Sequence, residues 1–281
     1  MKIYIQSNRI QEIAAKVSSE TFNSFGLSSK IVFVEDYKEI TKYFGKSYLR
    51  KGKKVIFKDD LQSFTLLRFL IPELSDSKSP IMIIDPDIFA IKNPISILNE
   101  IKNDQKLYCT FIDNKPRTEM MVLNPKSKFW SFEKILKDLF DLKIDYDDLF
   151  KLKFLSYSSL EKLDRKYNSL DEINYETVLL HTTNRKTQPW KEGLKIDFEV
   201  HASKFNKFCN YFKKIIGLKY NEEIIGNYYK KHPNNEVIDY LVKIFNNAYK
   251  NNVISKDDLL NSSKKRYISN DFLKKLEFSN K

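Results

Sequence analysis

Residues 80–87, Pro80-Ile81-Met82-Ile83-Ile84-Asp85-Pro86-Asp87, decide how this chain is read. Ile81 to Ile84 form an unbroken apolar run, the pattern of a central parallel strand buried on both faces. The run ends abruptly in two carboxylates. In an open α/β sheet, ligands bind at the carboxyl ends of the strands. Two carboxylates two residues apart on an extended backbone project to one side, where both can reach a single hard cation. Mg²⁺ or Mn²⁺ held in this way keeps coordination positions for phosphate oxygens. A bare Asp-x-Asp is common and usually marks a turn or a helix cap. Its position after a buried strand gives this one its weight.

Outward from this strand, short apolar runs alternate with helical patterns. Lys2 to Gln6 and Ile31 to Glu35 read as strands. Between them, Asn8 caps a helix from about Ile10 toward Phe25 that Gly26 closes. A weaker helix, Tyr37 to Phe44, and a strand at Val55–Phe57 come next. Asp59 or Asp60 then caps a helix carrying Leu61, Phe64, Leu67, Arg68 and Leu70, stopped by Pro72. Beyond Asp87, strands are expected at Leu107–Ile112 and Met120–Leu123, and a helix from about Lys128 to Leu139. Residues 141–171 read as polar helix, and Val178 to Leu180 as a strand leading into His181. Alternating strands and helices imply an α/β sandwich. Past about His201, aromatic residues interleave with lysines, then short helical pieces run to the end. The expected division is a catalytic region, 1–203, and a helical, basic and aromatic C-terminal region, 204–281.

With 42% hydrophobic and 31% charged residues, the chain can build a sizeable core and is too apolar for disorder. No stretch approaches the ~20 apolar residues that span a bilayer, and the N-terminal apolar run is too short for a signal peptide. A cytoplasmic address is expected, with the inner face of the membrane as an alternative. Cys109 and Cys209 lie far apart without a CxxC partner, so two buried free thiols are expected. The net charge of +12 would suit nucleic acid. However, the abundance of Lys, Asn, Ile and Tyr beside scarce Ala and Gly reads as a coding bias that inflates Lys everywhere. The charge therefore fits an anionic substrate or an anionic lipid surface equally well.

The segment IMIIDPDIFAIKNPISIL (residues 81–98) resembles the Asp-x-Asp region of nucleotide-sugar glycosyltransferases with the GT-A fold. FTLLRFLIPEL (64–74) resembles the Arg-bearing helix that precedes this strand in family 8 of those enzymes, the group that includes glycogenin and the lipo-oligosaccharide galactosyltransferases. LLHTTNRKTQPWKEG (179–193) resembles that family's His-x-x-Gly-x-x-Lys-Pro-Trp motif. The resemblance covers about residues 1–200, with the three motifs in family order. It implies a GT-A-like mixed sheet flanked by helices and a small helical C-terminal region. The implied reaction is transfer of a sugar from a nucleotide diphosphate donor, a UDP-hexose above all, with retention of configuration. The acceptor would be a hydroxyl of a glycan, a lipid-linked molecule or a protein.

By the same resemblance, Asp85, Asp87 and His181 hold Mn²⁺ or Mg²⁺, and Arg68 steadies the donor sugar or diphosphate. Gln6, Ser7 and Asn8 would lie against the nucleotide, and Lys186 would meet its phosphate, because Gln188 stands where the family has Lys. The spacing from His181 to Trp190 is one residue longer than in the family motif. Arg117-Thr118-Glu119 occupies the place of the family's Asn-Ala-Gly, and no Asp-Gln pair marks an acceptor side.

Each residue also has a plainer reading. His181 could cap a carbonyl, Arg68 could form a surface ion pair, and Trp190 after Pro189 reads first as a structural corner. Asp141, Asp145, Asp147 and Asp148 lack the Gly and terminal Glu of an EF-hand and read as a solvated helix face. His201 and His232 have no recognisable partners. The interleaved segment Phe205–Lys214 reads by default as core packing, and by alternatives as an acceptor surface or a lipid contact. Competing functions are another Asp-x-Asp metal enzyme, a nucleotidyltransferase or phosphohydrolase, and a nonenzymatic binder of RNA or polyanion. The last lacks any RNP-like, KH-like or zinc-binding signature, so no nucleic-acid partner is expected.

Overall fold

A computed structural model describes residues 1–198, 204–219 and 226–277. In chain order, β1 (Lys2–Ser7), α1 (Glu12–Asn23) and β2 (Ser29–Phe33) come first, then α2 (Lys38–Thr41) and the hairpin β3 (Ser47–Arg50) and β4 (Lys53–Ile56). Next are α3 (Leu67–Leu74), β5 (Ile81–Ile84), β6 (Ile88–Ala90), β7 (Leu107–Ile112), β8 (Lys115–Leu123), α4 (Phe132–Phe140) and α5 (Tyr146–Phe150). Then come β9 (Leu160–Lys162), β10 (Ser169–Leu170), β11 (Leu179–His181) and the helices α6 (Lys204–Ile215), α7 (Asn235–Lys250), α8 (Lys256–Lys264) and α9 (Asn270–Leu273).

The expected mixed α/β architecture is the one observed. Six strands form a sheet in the order β2-β1-β5-β8-β7-β9, parallel across β2, β1 and β5 and antiparallel from β5 to β8 and from β8 to β7. Alternation along β5 gives each face its own core. Ile81 and Ile83 join Leu67, Ile71 and Leu136, whereas Met82 and Ile84 join Ile3, Ile5 and Phe22. Both faces are buried, which explains the unbroken apolar run of this strand.

After the Asp85-Pro86-Asp87 turn, β6 leaves this sheet and pairs antiparallel with β11. The two segments that carry Asp87 and His181 are thereby joined by a ladder in which His181 lies opposite Ile88. The three acids and bases of interest come together for that reason.

The C-terminal helices cover the outer face of α1. Val237, Leu241, Ile244, Phe245 and Ala248 of α7 repeat at helical spacing and pack with Val17, Phe89, Trp190 and Phe272. Trp190 sits edge-on to Phe89 at 6.1 Å and is tilted against Phe245 at 6.2 Å. It thus fills the junction between the small sheet and the C-terminal helices, as the corner reading expected.

Several expectations are corrected. Pro72 lies inside α3 rather than stopping it, in a helix that starts only at Leu67, after a 3-10 turn over Ser63–Leu66. The helix expected from Lys128 begins at Phe132, because Lys128 takes a left-handed φ of 43° and Ser131 caps α4. Residues 141–171 hold only one short helix, α5, among turns and the strands β9 and β10. The acidic cluster is solvated only in part: Asp141 is exposed and Asp148 half-buried, whereas Asp145 caps α5 and accepts from the Gly52 amide at 2.7 Å, and Asp147 pairs with Arg50. Cys109 is a buried thiol, whereas Cys209 is only partly covered. His201 lies outside the described residues. His232 is fully buried, with Nε2 3.5 Å from Asp171. The segment Phe205–Lys214 is not core, as α6 presents its rings to solvent.

Trp190→Ala should therefore lower unfolding free energy by about 3–5 kcal/mol, the usual cost of emptying a large aromatic site. Denaturant melts would measure it, and a loss near zero would contradict the junction role.

Candidate metal centre

Asp85 directly follows β5, and Asp87 comes after one proline. These residues are not the extended pair expected from the sequence. They form a tight turn in which the Ile88 amide donates to the Asp85 carbonyl at 3.3 Å. The turn, with φ fixed at Pro86, aims both carboxylates toward His181 at the end of β11. One oxygen of each aspartate and one imidazole nitrogen all lie within 4.8 Å of one another.

Each ligand is held by a second group. Asp85 Oδ1 accepts from Gln6 Nε2 and, at 2.8 Å, from the Arg68 guanidinium. Asp87 Oδ2 accepts from Gln188 Nε2 at 3.1 Å, while the Asp87 carbonyl accepts from the Thr182 amide. Asn168 donates its amide to Thr110 and turns its carbonyl oxygen to His181 Nδ1 at 2.9 Å. Because that oxygen can only accept, Nδ1 carries the proton, and Nε2 is the nitrogen left to coordinate once the ring is neutral. Nε2 faces Asp87 Oδ1 at 3.5 Å. Two cis ligands with ~2.1 Å bonds would stand roughly 3 Å apart, so a small divalent ion fits between them. The donor set of two carboxylates and a neutral imidazole also suits a divalent cation.

Electrostatics favour the same occupant. Burial pushes the Asp85 carboxyl up to about 6, against the pull of Arg68 and with the added push of Asp87. Burial alone would lower the His181 imidazole, but the facing carboxylates of Asp87, Glu119 and Asp85 hold it above its ordinary value. Two side-chain oxygens beside the cluster, Gln6 Oε1 and Gln188 Oε1, are buried with no hydrogen-bond partner among the described residues.

A cleft of about 450 Å³ opens over the cluster. Arg50, Arg68, Arg117 and Arg185 line it together with Glu119, Tyr146 and Phe150. Arg68 is 3% exposed, lies over the Phe150 ring at 4.6 Å and also donates to Thr118 at 2.7 Å. It is thus no surface ion pair.

The other residues singled out in the sequence are placed differently. Lys186 does not line the cleft, and its ammonium donates to the Gly226 carbonyl at 3.3 Å. Its neighbour Arg185 reaches the cleft instead, from a 3-10 turn over Arg185–Thr187 that Asn184 caps. Ser7 and Asn8 are buried, and their side chains are engaged internally. Ser7 donates to the Asn8 carbonyl, and Asn8 donates to Asp60 and Ser63.

Sequence reasoning gave no role to Glu119, Asn168 or Gln188. Arg117 donates to Glu119 through both Nε and Nη2. Burial would raise the Glu119 carboxyl, yet Arg117 and the His181 imidazole hold it down to about 2. The charge alternation of Arg117-Thr118-Glu119 along one strand face was the available signal for this pair. Nothing in the sequence marked Asn168.

No family model and no curated protein sequence matches the chain. Among solved structures it is similar to the galactosyltransferase LgtC in complex with donor and acceptor sugar analogues, at 11% identity over 68% of this chain and 89% of that one, TM-score 0.45. It is similar to the glycosyltransferase GlyE of Streptococcus pneumoniae, at 16% identity over 78% and 64% of the two chains, TM-score 0.48. A further likeness is to mouse xyloside xylosyltransferase 1, at 10% identity over 65% and 97%, TM-score 0.43. These are likenesses of general chain path at low identity.

Because a carboxyl titrating near 6 and a raised imidazole must both lose their protons to coordinate, Mn²⁺ affinity should rise with pH. Below pH ~6, where both protons must be displaced, it should fall by up to about a hundredfold per pH unit. Calorimetric titration would measure this, and an affinity flat from acid to neutral pH would contradict the assignment.

Proposed function

We propose that this protein is a metal-dependent glycosyltransferase, transferring a hexose from a nucleotide diphosphate donor, a UDP-sugar above all, to a hydroxyl acceptor with retention of configuration. One observation carries the reading. Two aspartates and a histidine converge within 4.8 Å at the carboxyl end of a buried strand, under a cleft walled by arginines. The three sequence motifs, in the order found in family 8, support the same reaction. In this reading residues 1–203 form the catalytic region and 204–281 a helical addition.

Asp85, Asp87 and His181 would hold Mn²⁺ or Mg²⁺, which when bound supplies charge that neutralises a diphosphate. Gln6 and Gln188 keep the two carboxylates aimed at each other, and Asn168 keeps the imidazole in the coordinating tautomer. Arg68 holds Asp85 ionised and rigid at the base of the cleft. Arg185 takes the phosphate-facing role expected of Lys186, with Arg50 beside it. The nucleoside lies toward Gln11 and Gln62 on the same wall, rather than against the enclosed side chains of Ser7 and Asn8. Glu119, fixed as a carboxylate by Arg117, stands as an acceptor for sugar hydroxyls, in the place where the family has Asn-Ala-Gly. The chain needs no nucleophile of its own in retaining transfer, since the departing diphosphate can take the acceptor proton. Catalysis is then positioning and preorganised charge.

Incubation with a panel of nucleotide sugars and Mn²⁺ should release nucleoside diphosphate. Asp87→Asn should lower the rate by at least about 10²-fold and Arg185→Gln by about tenfold, with both variants folded by circular dichroism. Release of nucleoside monophosphate instead would identify a phosphohydrolase, and turnover unchanged by chelator would remove the metal from the reaction.

A further inference from the structure

Seven of the fifteen exposed large apolar side chains among the described residues fall within residues 205–218. Phe205, Phe208, Tyr211, Phe212 and Ile215 recur at the i, i+3, i+4 and i+7 spacing of one helical face, so α6 carries a continuous apolar stripe, with Ile216 just past its end. That stripe faces solvent, with Phe205 at 74% and Ile215 at 73% exposure, and Phe208 and Phe212 stack on each other rather than on the core. By contrast, α7 buries its apolar face against α1. A stripe of this size is an interaction surface rather than ordinary surface scatter.

The charges flanking the stripe identify its partner. Residues 204–219 contain Lys204, Lys207, Lys213, Lys214 and Lys219 and no Asp or Glu. An apolar, aromatic face whose charged neighbours within residues 204–219 are all lysines complements an anionic bilayer surface, where rings enter the acyl boundary and ammonium groups meet phosphate headgroups. A second copy of this chain would bring the same positive charges face to face.

Both ends of this excursion lie against the segment that carries Arg185 into the cleft. The segments 193–196 and 227–229 are joined by backbone hydrogen bonds from Gly193 to Tyr229, Tyr229 to Leu194 and Ile196 to Asn227. Lys191 and Tyr229 both donate to Asp197, which fastens the base of the ladder. Arg185, on the cleft wall, lies over the ring of Phe198 at 5.5 Å. From Phe198 the chain reaches the start of α6 in six residues, a span of at most about 20 Å.

We propose that α6 is an interfacial helix that docks this protein on anionic membrane and holds the mouth of its cleft near the lipid surface. An acceptor carried by a lipid would then meet the cleft without leaving the bilayer.

The test is co-sedimentation of the full-length chain with phosphatidylcholine vesicles, with and without phosphatidylglycerol. Binding should be at least about tenfold stronger to the anionic vesicles and should weaken with salt. It should be lost in Phe208→Asp/Phe212→Asp and weakened in Lys207→Glu/Lys213→Glu. These exposed changes should leave the melting temperature and Mn²⁺-dependent nucleoside diphosphate binding unaltered, which separates failure of this proposal from failure of the proposed function. Equal partitioning of wild type and the aspartate variant would overturn it. So would a wild-type dimer that the same variant turns into a monomer, since the stripe would then belong to a second copy.

Discussion

The structure depends on one unfavourable arrangement. Asp85 and Asp87 are held side by side, largely out of water, where like charges repel and ionised groups lose solvation. Arg68 offsets only the first of them, and burial still drives the Asp85 carboxyl up to about 6. A fold gains nothing in stability from this placement. It makes sense when a cation completes the site, and the surrounding groups are arranged for one. The amides of Gln6 and Gln188 donate to the aspartates, and Asn168 directs the imidazole lone pair inward. The ladder between β6 and β11 fixes the distance from turn to histidine.

The sheet serves this arrangement. Burying β5 on both faces makes its C-terminal end immobile, so a turn placed there has a fixed direction. The exit of β6 into a separate ladder then gives the turn a second anchor. The arginines of the cleft wall come from four different places: Arg50 from the β3–β4 hairpin, Arg68 from α3, Arg117 from β8 and Arg185 from the loop after β11. Each is positioned by an aromatic ring or a carboxylate. Arg50 and Arg68 lie over Tyr146 and Phe150, Arg185 lies over Phe198, and Arg117 grips Glu119.

The parts legible in the sequence were those set by local pattern. The apolar run of β5, the aspartates after it and a histidine ending a strand are all short-range features, and the structure brings these three side chains together. The parts that escaped depend on side-chain direction across long separations. Gln188 shows the difference: its place in the motif marked only a missing lysine, whereas its amide reaches Asp87 across the β6–β11 junction. Arg185 rather than Lys186 lines the cleft, in a 3-10 turn that Asn184 caps. Asn168 lies far from any motif and matters only because β10 runs beside β11. The aromatic stripe of α6 was visible as a pattern. Periodicity alone says which face is apolar and is silent on what lies against it.

The central claim is that Asp85, Asp87 and His181 grip one divalent ion. Anomalous diffraction from crystals soaked in Mn²⁺ tests it most directly. The account predicts a single strong manganese peak bonded to an oxygen of each aspartate and to Nε2 of the histidine. A map with manganese elsewhere, or with these three side chains unmoved around an empty centre at saturating metal, would contradict it.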